Sequence, residues 1–372
     1  MKKKAVAKKS SKSQKKSSPN KFRVWWRARK HWQRIVIKIF AILTILLFSV
    51  LVFNFVSDKL FPPIKNPEYG VTFSPQYAEE LGVDWKENYI ALLDELQFKR
   101  YRLMTYWNRI EKKPGKYDFS EIDFQMNEAA KRGYTVALAL GLRQPRWPEC
   151  HQPNWAKDLY KTNKDEWRKD LNEYITKTVE RYKNHPALGS WQLENEAVNS
   201  WFGECQDRDK QRLRDEFALV KNLDPNHPVN MSLSDQHGFP AGTPVPDNYG
   251  FSVYRIVWND KTPIKFYITY PTPVWYHRLR AFLINHIKHR EVFIHELQVE
   301  PWGPVPTEQM TVEEQDRSMS PRQMEKNMIF ARKIGKPGIY MWGSEWWYWR
   351  KTVQKDTQPW DRVKLELQRF PN

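Results

Sequence analysis

The sequence predicts an α/β protein, a (β/α)8 TIM barrel preceded by a single transmembrane helix. Three observations predict it. Short apolar runs alternate with stretches of helical periodicity eight times from Tyr69 onward. The third run, Thr135-Val-Ala-Leu-Ala-Leu140, is apolar without a polar alternate, as a strand buried on both faces requires. Ile35–Val56 carries Lys38 as its only charge and is long enough to cross a bilayer, which takes about 20 residues as a helix.

The eight strands are expected at 69–73, 100–105, 134–140, 188–195, 228–233, 249–254, 291–296 and 338–343. Helices separate them. Asp84 with Glu87 reads as a capping-box start before Leu92, Leu93 and Leu96. Ser120 is expected to cap a helix that ends at Gly133. Trp167, Leu171, Tyr174, Ile175, Val179 and Tyr182 form one stripe at helical spacing. Ser320, Pro321 and Gln323 supply an N-cap, a proline at N1 and a glutamine at N3. A doubly wound open sheet is the alternative, and it would not bring strands four and seven together as directly. The sequence has no fixed-period repeat and no glycine-rich phosphate loop.

The charge is uneven. Of the formal net +18, fourteen positive charges fall in residues 1–34, which hold no Asp or Glu, leaving +4 for the rest. The reading is a basic cytoplasmic tail at 1–34, disordered over its first twenty residues, then a signal anchor at 35–56 and a Pro-rich linker at 57–68. The barrel domain follows at 69–372, outside the cell. Lys38 can snorkel, and Trp25, Trp26 and Trp32 suit the interfacial belt. A cleaved signal peptide is the competing reading, but the apolar run is long for one and no small-residue cleavage site follows it. The basic tail is read as meeting anionic lipid rather than nucleic acid, because it runs directly into the membrane segment. Cys150 and Cys205 fall in loops on one face of the predicted barrel, and an exported domain can join them as a disulfide.

The chemistry centres on Glu196, at the end of Gly189-Ser-Trp-Gln-Leu-Glu-Asn-Glu196, and Glu296, at the end of Glu291-Val-Phe-Ile-His-Glu296. Both are placed where an apolar run stops, so both would face the C-terminal mouth of a barrel, where active sites form. Two carboxyls flanking one bond are what glycoside cleavage needs: one gives a proton to the leaving oxygen, and the other attacks or stabilises the sugar cation.

Five segments, in order, resemble the retaining glycoside hydrolases of clan A, the cellulase-like and β-galactosidase-like barrels. Trp191-Gln-Leu-Glu-Asn-Glu196 is similar to their strand-four acid/base motif. Lys99 to Phe119 is similar to their strand-two region, with an arginine that supports the nucleophile. Asp247 to Tyr254 resembles strand six with its orienting tyrosine. His295 to Trp302 resembles the nucleophile strand, and Tyr340 to Trp347 strand eight with its platform tryptophan. The likeness covers about residues 69–350.

The resemblance implies Glu196 as acid/base and Glu296 as nucleophile. It implies Arg102 and Tyr254 beside Glu296, Asn195 on the sugar 2-hydroxyl and Trp342 under the ring. Trp107 and Trp302 are candidate substrate contacts, as flat aromatic faces stack on sugar C–H faces; Trp147, Trp155, Trp201, Trp258, Trp346 and Trp347 also fall in or beside loops after strands. Glu300 and Glu345 are further carboxylates that could reach substrate, and Glu194 is read as structural. His151, His185, His237 and His295 show no ligand spacing, so neither metal nor cofactor is expected. The implied partner is an oligo- or polysaccharide. A transglycosylase, or a non-catalytic carbohydrate-binding scaffold on the same barrel, are the alternatives.

Overall fold

The computed structural model describes residues 21–197, 199, 202–234 and 238–371. The disorder expected for residues 1–20, and Trp201 and His237, lie outside the described residues. The chain divides into two units, Met1–Val56 and Ser57–Asn372.

In the first unit a short helix, Lys21–Arg27, precedes a long one that starts at His31. Phe22 stacks on Trp25 and on Trp26 within the short helix. Residues His31–Ser57 are long and apolar enough to cross a membrane. The helix runs on to Leu60, so the first part of the expected linker is helical. The remainder of that linker is fastened to the second unit. The Ile64 N–H donates to Arg332 O, and the Arg278 guanidinium lies 4.2 Å from the Phe61 ring centroid.

The second unit is a closed parallel barrel. Its strands are β1 (Glu68–Phe73), β2 (Arg100–Met104), β3 (Thr135–Leu140), β4 (Leu188–Leu193), β5 (Val229–Leu233), β6 (Asn248–Val253), β7 (Glu291–Gln298) and β8 (Gly338–Trp342). Each pairs with its sequence neighbours, and β1 closes the ring on β8. Closure removes the doubly wound alternative. The strands are buried on both faces because helices cover the outside, which is why β3 can be apolar throughout. All six residues of the Trp167–Tyr182 stripe are buried. Each large apolar side chain so buried contributes about 1.5–3 kcal/mol.

Most caps are as the sequence suggests. Asp84 accepts from the Lys86 and Glu87 N–H groups, and Ser320 from Gln323. Ser120 differs. It is the first residue of the helix Ser120–Lys131 and makes no cap bond; its own N–H donates to the Asp118 carboxylate, which supplies the local turn instead.

Two strand ends depart from expectation in ways that shape the site. β4 stops at Leu193, and Glu194 and Glu196 take left-handed φ of 52° and 44°, so the backbone turns sharply around Asn195. β7 runs past Glu296 to Gln298 because its last residues pair with β8. Glu296 is therefore inside the strand rather than at its end. Ile294 pairs with Phe251, but Glu296 pairs with Ser252, so His295 is an extra residue in the ladder. Such a bulge re-aims the side chain beside it. Gly250 leaves the space His295 takes, since a Cβ there would stand 2.7 Å from His295 Cβ.

Candidate active site

A cavity of about 610 Å³ opens at the C-terminal mouth of the barrel. Glu196 and Glu296 both line it, and ligand-type atoms of Glu196, His295 and Glu296 lie within 4.8 Å of one another. Residue spacing alone missed that trio, because its members come from strands four and seven.

Glu296 is held on both oxygens. Arg102 Nη1 donates to Oε1 at 2.9 Å, and the Tyr254 hydroxyl to Oε2 at 2.9 Å. His295 Nε2 stands 3.4 Å from Oε1. Burial alone would push the Glu296 carboxyl up, but His295 and Arg102 outweigh it and hold it well below the usual carboxylate range. Glu296 is thus an anion that is only 3 % exposed. With the Arg102 cation already on Oε1, a metal ion on the same oxygen would meet like charge.

Arg102 spends all three arms of its guanidinium. Nε donates to Gln192 Oε1 at 2.6 Å, and Nη2 to Asn195 Oδ1 at 2.9 Å. It is 1 % exposed and does not line the cavity, so it reaches the cavity only through its partners. Asn195 lines the cavity. Its Oδ1 also accepts from Ser232, and its Nδ2 donates to Glu149 Oε2 at 3.0 Å.

Glu196 is 9 % exposed. Ser252 Oγ donates to Oε1 and Asn199 Nδ2 to Oε2, both at 2.7 Å, and the Glu196 N–H donates to Ser232 Oγ. Two strands, β5 and β6, and the loop after β4 therefore aim this carboxyl.

Glu149 is a further cavity carboxyl, one that the sequence analysis did not single out. Burial pushes it up to about 8, and the charges of Glu196 and Glu296 act in the same direction against Arg143 and the Asn195 bond. Its backbone φ is +71°, and it follows a cis Trp147–Pro148 bond. The loop is clamped to the one after β4. Arg143 donates to the carbonyls of Asn195, Asn199 and Phe202, the Glu204 N–H donates to Pro148 O, and Cys150 is joined to Cys205 across a Cα–Cα distance of 5.2 Å. The only sequence signal for Glu149 was its place beside Cys150.

The far wall is built around Arg146. Its guanidinium lies between Tyr77 and Trp342, 3.8 Å and 4.1 Å from their ring centroids, and pairs with Glu300 and Glu345. Trp342 lines the cavity, but the guanidinium covers one of its faces and its Nε1 donates to Glu300. A sugar stacked on Trp342 would have only the other face. Glu300 borders the cavity, whereas Glu345 is 0 % exposed and does not.

The tryptophans divide. Trp147, Trp258 and Trp302 line the cavity, Trp302 packed against Tyr254. Trp107 does not: it is 0 % exposed, stacked on Tyr174, with Nε1 donating to Glu111. Its expected substrate contact is corrected to a core role, because the helix Trp107–Ile110 turns the ring inward. Trp346 and Trp347 are likewise fully buried. Glu194 is structural, accepting from Arg212 Nη1 at 2.7 Å. Part of the stretch between β6 and β7 is a two-stranded ribbon, Ile256–Asn259 against Phe266–Thr269, which brings Val257 and Trp258 to the cavity wall.

Residues 76–231 match the profile of the family described as Beta-galactosidase (Glyco_hydro_42). Over 174 residues the chain is 24 % identical to Beta-galactosidase LacZ of Heyndrickxia coagulans, covering 42 % of this chain and 26 % of that protein. Over 149 residues it is 26 % identical to Mannan endo-1,4-beta-mannosidase F of Aspergillus fumigatus, covering 36 % and 30 %. The chain thus spans about a quarter to a third of the length of these relatives. The fold is similar to that of an exo-beta-1,4-mannosidase from Opitutaceae bacterium strain TAV5 (TM-score 0.54, 14 % identity, 83 % of this chain and 62 % of the other). It is also similar to a beta-galactosidase from a psychrophilic Marinomonas (TM-score 0.52, 14 % identity, 74 % and 53 %).

Proposed function

We propose that this chain is a membrane-anchored glycosidase that cleaves β-glycosidic bonds with retention. The observation that carries it is the pairing of Glu196 with Glu296, oxygens within 4.8 Å, at the mouth of the barrel. Retaining enzymes hold their carboxyls about 5–5.5 Å apart; inverting ones leave roughly 6.5–9.5 Å for a water.

In this reading Glu196 protonates the leaving oxygen while a Glu296 oxygen attacks the anomeric carbon. A glycosyl ester forms on Glu296 and the aglycone departs as an alcohol. Glu196, now a carboxylate, takes a proton from water, which attacks the same carbon and releases Glu296. Arg102 and Tyr254 keep Glu296 anionic and oriented between turnovers. Asn195, fixed by Arg102, Ser232 and Glu149, meets the sugar 2-hydroxyl. Trp302 and Trp258 face the bound saccharide. The likeness to a beta-galactosidase and a mannosidase makes β-galactosides and β-mannosides the first substrates to try.

His31–Ser57 serves as the anchor, the basic residues before it stay in the cytoplasm and the barrel is outside, where the Cys150–Cys205 bond suits an oxidising milieu.

The test is turnover of aryl β-glycosides and β-linked oligosaccharides by the wild type, Glu196→Gln and Glu296→Gln. A 2-deoxy-2-fluoro glycoside should label the wild type on the peptide carrying Glu296. Labelling elsewhere, or a product of inverted anomeric configuration, overturns the retaining mechanism. Binding without turnover by wild type and variants alike would make the chain a carbohydrate-binding scaffold.

A further inference from the structure

The helix Val274–Lys288, between β6 and β7, carries large apolar residues on its outward face as well as a buried inner face. Its inner face is conventional: Val274, His277, Arg280, Ala281 and Ile284 are buried against the barrel. Its outer face should carry charge, as a water-facing helix surface does. Instead Leu279, Phe282, Leu283 and Ile287, at helical spacing, are exposed by 48, 54, 38 and 58 %. Phe239, under the Lys288 ammonium, extends the patch. The helix has no acidic residue, while Arg278 and Lys288 are basic, and Trp275 and Tyr276 stand at its start. The long outer helix Lys164–Tyr182 contrasts with it: its apolar stripe is buried, and none of its large apolar residues is exposed.

A second observation bears on what lies near this face. Arg278 of the same helix packs on Phe61, only four residues beyond Ser57, where the membrane-spanning stretch ends. The chain therefore enters the barrel unit beside this helix. An exposed apolar stripe with basic flanks and aromatic residues at one end is the pattern of a helix lying in a bilayer interface.

We propose that the outer face of Val274–Lys288 rests on the membrane surface, its apolar stripe in the headgroup region and its basic residues on anionic lipid. The inference rests on His31–Ser57 as the anchor, since that anchor is what brings a bilayer to the patch. The contact would hold the barrel against the membrane rather than leave it attached through the anchor alone.

Two measurements separate this contact from the anchor. In the first, the full chain is reconstituted in phosphatidylcholine/phosphatidylglycerol vesicles, with bimane on Phe282→Cys or on Lys177→Cys of the helix Lys164–Tyr182. Nitroxide lipid should quench the label at 282 several-fold more strongly than the label at 177; equal quenching overturns the proposal. In the second, residues 57–372, which contain the whole barrel and its core, are mixed with the same vesicles. They should sediment with anionic vesicles, and Leu279→Glu/Phe282→Glu/Ile287→Glu should weaken that binding by about tenfold or more. These side chains are exposed, so the variant keeps its core. Concentration-dependent self-association lost in the triple variant, with no vesicle binding, would assign the face to a second copy of this chain and overturn the lipid assignment. If carbonate extracts the full chain from membranes, the anchor fails, while vesicle binding by residues 57–372 still decides the face.

Discussion

Arg102 and Glu296 form a buried ion pair, Nη1 to Oε1 at 2.9 Å, with side chains 1 % and 5 % exposed. The pair is not isolated. The same guanidinium fixes Gln192 and Asn195, so one side chain on β2 sets the geometry of residues on or just after β4 and β7. A buried pair of this kind is weak evidence for net stability, since desolvation offsets much of the attraction. Its value here is that it keeps a buried carboxylate ionised and aimed into the cavity.

Replacing Arg102 tests that. Arg102→Lys retains a charge but cannot donate to three acceptors in a planar fork. Without the Nη1 contact the Glu296 carboxyl rises toward its ordinary range, so it becomes protonated at mildly acid pH. The expected result is a kcat/KM lower by on the order of 100-fold, with the acid limb of the pH profile moved upward. An unchanged acid limb would mean that Arg102 does not control the ionisation of Glu296.

Tyr254→Phe removes one hydrogen bond to Glu296 Oε2 and little volume. Hydrogen bonds to charged groups are worth about 1.5–3 kcal/mol, so kcat/KM should fall roughly 10- to 100-fold. Thermal stability should change little. A large drop in Tm with a small kinetic effect would instead make Tyr254 a packing residue, through its contact with Trp302.

Glu149 predicts a pH dependence of stability. Its carboxyl is raised from 4.5 to about 8 by burial, so between these values the folded chain binds a proton that the unfolded chain has lost. Stability from this group is therefore present at low pH and declines as pH rises from 4.5 through 8. Glu149→Gln keeps the shape and cannot ionise. Its Tm relative to wild type should rise steadily across that window and level off above it. Tm curves that stay parallel across the window would show that Glu149 ionises normally in the folded chain.

The barrel was legible because its signals are local. Eight apolar runs separated by helical periodicity were enough to place every strand within a few residues, and the Trp167–Tyr182 stripe found its buried face directly. The place of Glu196 and Glu296 at the barrel mouth was legible for the same reason, as carboxylates at or near the ends of such runs. What could not be read depended on contacts between distant segments. The bulge at His295 exists only relative to β6. Arg146 occupies the space over Trp342 because Tyr77, Glu300 and Glu345 converge there from three other segments. Trp107 was misassigned because lying after a strand does not say which way a ring turns.

The Cys150–Cys205 bond joins the loop that holds Glu149 to the loop that holds Asn199 and Phe202, and this gives it two separable effects. It closes a loop of sequence separation 55, for which the loss of unfolded-chain entropy is worth about 4 kcal/mol, with typical measured values of about 2–4 kcal/mol. Cys150→Ser/Cys205→Ser should lower unfolding stability by that order in urea titration. The clamp has other members, though: Arg143 on three carbonyls and the Glu204 N–H on Pro148 O remain when the sulfurs are gone. Below the unfolding transition the double variant should therefore keep kcat within a few-fold of wild type, while Arg143→Ala, which frees the loop after β4 from that side chain, should lower it further. If the double variant instead loses activity while still fully folded, the disulfide itself holds Glu149 and Asn199 in register, and adding reductant to the wild type should reproduce the loss.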